Sequence, residues 1–148
     1  LNDIIAVALQ AATDAGASYA DARIVDTAVE SISVASGVVD AVERTDSFGI
    51  GVRAIAQGAW GFASSSEVTP ASAARVAREA VAIARASALV AGAPLQLSPL
   101  EPARGTWSSR FEIDPFSVSL DDKLALLLAA DAAMRSEAAV RVTKAHLG

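Results

Sequence analysis

The stretch GIGVRAIAQGAWGFASS, from Gly49 to Ser65, alternates like two strands around a turn, yet Arg53 is its only charge. A hairpin with one solvated side shows a polar face; one that is apolar on both sides asks for cover on both. That demand constrains this chain more than any other feature. Gln57-Gly58 marks the turn. A two-residue type I′ turn would hold Gln57 at positive φ, which a long side chain resists, whereas a three-residue loop, Ala56-Gln57-Gly58, needs the left-handed region only at Gly58. The longer loop is therefore expected, pairing Ile55 with Ala59 and Val52 with Phe62. Ile50, Val52, Ala54, Trp60 and Phe62 then make a core face under helices, where a buried Phe-sized group contributes roughly 1.5–3 kcal/mol. Gly51, Arg53, Ile55, Ala59, Gly61 and Ala63 fall on the opposite face. Small residues there admit another backbone closely. Gly51, Arg53, Ile55, Gly61 and Ala63 are accordingly the expected contact face for a further domain or a partner chain. The alternative is that the third helix of the same chain wraps over it.

Around this hairpin the pattern is mixed. Asn2 or Asp3 is placed to cap a first helix carrying Ile4, Ile5, Ala8, Leu9, Ala12 and Ala15, with Gly16 as its stop. SYADARIVD reads as a first strand, and VESISVASGVVDAVE as a hairpin around Ser36-Gly37. Thr69-Pro70 opens a second helix with a cap and a proline at the first helical position. Val76, Ala80, Ile83, Ala84 and Ser87 form its small-residue stripe. From about 92 to 118 no period is visible; Trp107, Phe111 and Phe116 suggest that this irregular connection is packed. Ser119 and Asp122 resemble a capping box for a third helix, apolar round much of its girth, and a last strand begins near residue 139. The expected fold is α+β: a two-layer arrangement with a mainly antiparallel sheet of two hairpins plus a first strand, and helices packed on one face. Residues 1–148 read as one amino-terminal domain of something larger, because the chain opens on Leu1 and its final strand is cut short.

The search for chemistry yields little. There is no cysteine, hence no disulfide or thiolate metal site, and a cytoplasmic location is the default expectation. A formal net charge of −5 without a Lys/Arg cluster argues against nucleic acid. No apolar run reaches the roughly 20 residues of a membrane span, and no signal peptide is recognisable. His146 is the only histidine and reads as a strand residue. Gly49-Ile50-Gly51 lacks the third glycine of a phosphate loop. Ser64, Ser65 and Ser66 have no histidine in register to activate them and read as a strand end near the Thr69 cap. Asp121-Asp122 suits a helix start. Glu112 and Asp114 are too few donors for a cation site. Arg53 reads as an ion-paired arginine before it reads as a carboxylate-binding one. No catalytic, cofactor-binding or metal-ligating residue is expected in these 148 residues.

GASYADARIVDTAVESISVASGVVDAVE, GIGVRAIAQGAWGFAS and TPASAARVAREAVAIARAS, taken in this order and spacing, resemble the amino-terminal domain of the TldD/PmbA family, once called modulators of DNA gyrase and now regarded as zinc metallopeptidases. The likeness runs from about Leu1 to Leu89, and DPFSVSLDDKLALL, from Asp114 to Leu127, continues it. GIGVRA with GFA is similar to the TldD branch. The resemblance implies helices on an antiparallel sheet, with the zinc-binding His-Glu-x-x-x-His helix in a later domain that this chain does not contain. It further implies zinc in the full-length protein, TldD-type and PmbA-type subunits associating as homo- or heterodimers, and unfolded or extended peptides as substrates. The function so implied is a non-catalytic domain of a TldD-like zinc peptidase, shaping its chamber and subunit contacts. Two alternatives stand beside it: a zinc-free PmbA-type partner subunit, and a stand-alone module that associates with itself through the small-residue face.

Overall fold

The computed structural model describes residues 1–99 and 101–148. Three helices and four strands follow in the order α1 (Asn2–Asp14), β1 (Tyr19–Ala35), β2 (Val38–Ala56), β3 (Ala59–Ser65), α2 (Pro70–Ala88), α3 (Leu120–Arg135) and β4 (Lys144–Leu147), with a short 3-10 turn at Pro115–Ser117. The sheet is ordered β3-β2-β1-β4. The class is α+β, as the alternation of periods implies. Both expected hairpins are present, turning at Ser36-Gly37 and Gln57-Gly58, but the expected first strand is not separate from them: it continues into the first hairpin as β1, of 17 residues, and the two hairpins share β2, of 19. From Asp26 to Asp46 neither glycine nor proline occurs apart from Gly37 at the turn, so nothing else stops the ladder.

Contacts divide the chain into two units, residues 1–27 with 47–102, and residues 28–46 with 103–148. In the first, α1 and α2 cover one face of the sheet. Ala8 and Ala12, Ile50, Val52, Ala54, Ala56 and Ala63, and Ala73, Val76, Ala77, Ala80, Val81 and Ala84 form its buried cluster. Alanine dominates because helix and strand lie very close together. A Cβ on Gly61 would stand 2.0 Å from the Ala80 carbonyl oxygen, so only glycine fits there. Ile83, by contrast, is 40% exposed and lies off the packed stripe. Thr69 caps α2 by accepting from the Ser72 N–H at 3.2 Å. Neither Asn2 nor Asp3 caps α1: both lie within its first turn, Leu1 precedes it, and no side chain accepts from its free amides. Its far end is closed by Gly16, at φ +87°, and by the Arg85 guanidinium donating to the Ala15 carbonyl.

In the second unit α3 lays Leu127 against Ile32 and Val34, with Leu124, Leu128, Ala145 and Leu147 around them. Ser119 starts the helix, accepting from the Asp122 N–H at 3.1 Å and donating to the Asp122 carboxylate. Lys123 is buried and paired with Glu30. Phe116 lies under the Arg44 guanidinium, 4.9 Å from its ring centroid. The packing expected of the irregular segment fails at its other aromatics: Trp107 is 83% and Phe111 61% exposed. Hydrophobicity of a ring says that it gains from burial, not that a surface is available to bury it. β4 also begins later than expected, at Lys144, because the run Ala138 to Val142 alternates without pairing.

Candidate contact face

The hairpin that opened the sequence argument closes by the tighter route. Gln57 (φ 53°) and Gly58 (φ 76°) are both left-handed, and Ile55 pairs with Trp60, Arg53 with Phe62, Ala54 with Gly61 and Val52 with Ala63. The turn is thus the two-residue one. Right-handed strand twist matches it better than a longer loop, and this outweighs the strain on one glutamine. A one-residue difference in register moves every side chain of β3 to the other face. Gly61 and Ala63, expected on the contact face, lie under α2. Trp60 and Phe62, expected in the core, lie on the side of Gly51 and Arg53; Ile55 shares that side of the strand but is buried within the chain at 4% exposure, which corrects its place on the expected contact face. Phe62 is 56% exposed.

Arg53 organises this open face. Its Nε and Nη2 donate to the Asp21 carboxylate, with Nε 2.9 Å and Nη2 2.7 Å from Oδ2. Tyr19 also donates to Oδ2, at 3.2 Å. The guanidinium lies 5.4 Å from the Trp60 ring centroid, and Tyr19 meets Trp60 edge to face at 5.7 Å. The bond to Asp21 raises the Arg53 pKa, with the neighbouring negative charge adding to it. Burial, then the Asp21 charge and hydrogen bond, raise that of Tyr19. A half-exposed ion pair of this kind adds little stability. What it does is hold a flat, charged and aromatic platform in one geometry. Beside the platform a shallow groove of about 480 Å³ runs between Val25, Phe48, Phe62 and Ser64, with Arg23 at its rim.

Arg53 is therefore ion-paired, as the sequence suggests, but Tyr19, Asp21, Phe48 and Val25 are additions that sequence reading missed. The signal was the Tyr19/Asp21 spacing of two, which puts both on one face of a strand; without the register their common face could not be matched to that of Arg53. Ser65 accepts from the Glu67 N–H and from the Ser72 hydroxyl, ending the strand at the α2 cap. Asp114 caps the 3-10 turn through the Phe116 N–H. His146 sits in β4, its Nε2 2.9 Å from the Ser31 hydroxyl. Among the described residues no three His, Cys, Asp or Glu side chains are grouped to hold a metal ion. No described helix is long and apolar enough to cross a membrane.

These features define an α+β module whose distinctive surface is one side of a sheet. Residues 20–84 match the family model described as PmbA/TldA metallopeptidase domain 1. Among solved structures, the chain superposes on a candidate modulator of DNA gyrase from Bacteroides thetaiotaomicron with a TM-score of 0.68 at 14% identity, covering 98% of this chain and 33% of that one. A second candidate modulator, from Thermotoga maritima, gives a TM-score of 0.58 at 12% identity, covering 99% of this chain and 34% of that one. The chain spans about a third of the length of either. No curated protein matches it in sequence. Residues 20–84 are thus similar to the first domain of the PmbA/TldA metallopeptidases, and the fold of the chain to part of two candidate modulators of DNA gyrase.

Proposed function

We propose that this chain is the non-catalytic amino-terminal domain of a TldD-like zinc-dependent peptidase of the cytoplasm, and that the Arg53 face contributes to the chamber walls and subunit contacts. The observation that carries the reading is the open sheet side. Phe62, Phe48 and Val25 stand exposed around a pre-set Arg53–Asp21 pair, the composition found where protein surfaces bury against one another. The metallopeptidase description of the family model supplies the class of activity. Zinc and the attacking chemistry would come from residues outside this chain, since its own donors do not group. Its partners are then the remainder of the peptidase and a TldD- or PmbA-type subunit, and its substrates extended peptides.

The gene that encodes the chain tests the branch: a His-Glu-x-x-x-His helix downstream supports the TldD-like assignment, and its absence refutes it. The face is tested by Phe62→Glu in the whole gene product. Loss of subunit association or of peptide cleavage, with zinc content unchanged, is the expected result. An assembled, fully active variant would refute the role assigned to the face.

A further inference from the structure

The groove beside the Arg53 platform changes in character from one end to the other. At the first end two guanidinium groups share one carboxylate. Arg53 holds Asp21 through Nε and Nη2. The Arg23 Nε stands 3.8 Å from Asp21 Oδ1, too far for a hydrogen bond, and its side chain is 74% exposed. Two cations against one anion leave a positive charge uncompensated there, on a guanidinium fork shaped to take a second carboxylate. Gly51 and Gly49 follow on the same side of β2 as Arg53 and give the groove a floor of bare backbone. Phe62, paired with Arg53, leans over Gly51 so that a Cβ there would lie 3.0 Å from its ring. Val25 and Phe48 complete the apolar walls, and Ser47, Ser64 and Ser66 line the far end with hydroxyls.

Charge, apolar trough and hydroxyls thus succeed one another along a strand. From Arg53 to Gly51 is one full pleat, about 7 Å at the rise of a strand. An extended peptide laid along β2 repeats its side chains on one side at that same interval. A carboxylate at one position then meets the Arg23 fork, and an apolar side chain two positions away meets the floor between Phe62 and Val25. The hydroxyls beyond suit the amides of such a peptide, which an alkyl chain lacks. We infer that the groove takes an extended acidic peptide segment whose acidic and apolar residues stand two positions apart, in either chain direction. The inference deepens the reading of this face as a chamber wall and rests on it: the wall selects among extended peptides as well as enclosing them. Adjacent acidic and apolar residues do not fit, because an extended chain sends them to opposite sides.

Fluorescence anisotropy on the whole gene product tests this with labelled hexapeptides blocked at both ends, mass spectrometry confirming that each stays intact during the reading. Three share one composition: Ser-Glu-Ala-Leu-Ala-Ser, its reversal Ser-Ala-Leu-Ala-Glu-Ser, and Ser-Glu-Leu-Ala-Ala-Ser, in which the acidic and apolar residues are adjacent. At least one of the first two should bind about tenfold more tightly than the third, the size of one charge-assisted hydrogen-bonded contact. Arg23→Gln, at an exposed side chain without a hydrogen bond, should remove that preference with the urea midpoint unchanged. Gly51→Val builds up the floor and should weaken the preferred peptide while sparing the third. Equal binding of all three, binding of none, or a preference that survives Arg23→Gln overturns the site. Subunit association and cleavage are not read in this assay, so its failure leaves the chamber-wall reading to the Phe62→Glu variant.

Discussion

Gly61→Ala tests the register on which the contact face depends. The added Cβ would lie 2.0 Å from Ala80 O, 2.4 Å from Ala84 N and 3.0 Å from Ala84 Cα. Comfortable carbon contacts begin near 3.5 Å, so strand and helix must part by more than about 1 Å. All three atoms are helix backbone, and no rotamer change relieves the clash. Overpacking costs about 1–3 kcal/mol, and a rigid backbone neighbour places this case at the upper end. Replacing glycine in a strand returns about 0.5–1 kcal/mol of chain entropy. The net expectation is a loss of about 2 kcal/mol, or a Tm lower by about 4–8 °C for a chain of this size. Urea denaturation should show a lower midpoint at unchanged slope. Gly51→Ala is the control: its Cβ would meet only the ring edge of Phe62, at 3.0 Å and 3.3 Å, and that exposed side chain is free to swing. It should stay within about 0.5 kcal/mol of the parent. Equal losses in the two variants, or a neutral Gly61→Ala beside a costly Gly51→Ala, would refute the two-residue turn and the faces derived from it.

Further outcomes follow from single residues. Gln57→Asn should stabilise the hairpin by about 0.5 kcal/mol, since Asn accepts the left-handed region that Gln57 occupies at φ 53°; a lower urea midpoint would contradict it. Thr69→Ala should cost about 1 kcal/mol through the lost bond to the Ser72 N–H, read as faster exchange in the first turn of α2. Asp131 also sets an acid limit. The Thr143 hydrogen bond, opposed by burial and aided by Arg135 and Gly37, holds its pKa below the ordinary 3.8. A depressed carboxylate stabilises fully above its unfolded value and loses that contribution as pH falls through the folded one. The urea midpoint should therefore fall below about pH 4 in the parent, and Asp131→Asn should flatten that dependence; an equally steep acid limb in the variant would assign it to other carboxylates.

Much of this was legible in the chain. Thr69-Pro70 and Ser119/Asp122 announce helices because capping is chemistry between residues a few positions apart. Gly16, Ser36-Gly37 and Gln57-Gly58 mark stops and turns for the same local reason. Alternation alone put Gly51, Arg53 and Ile55 on one side of the hairpin strand. What failed was the assignment of β3. The sequence could weigh the strain on Gln57, but not the strand twist that overrode it, and a one-residue slip exchanged Trp60 and Phe62 for Gly61 and Ala63. The exposure of Trp107 and Phe111 was equally out of reach, because composition states a preference and not the presence of a surface.

The amino-acid order by itself determined the helices, the places of the turns and the α+β class, since these depend on neighbours within a turn or a pleat. Only the tertiary structure decided the register of β3, the union of Tyr19 and Asp21 with Arg53, and the meeting of Asp131 with Thr143 and of Arg135 with Gly37. Those contacts join residues far apart in the chain, and their geometry is set by how closely α2 approaches Gly61 and how α3 lies on β1. Local preferences do not carry that distance.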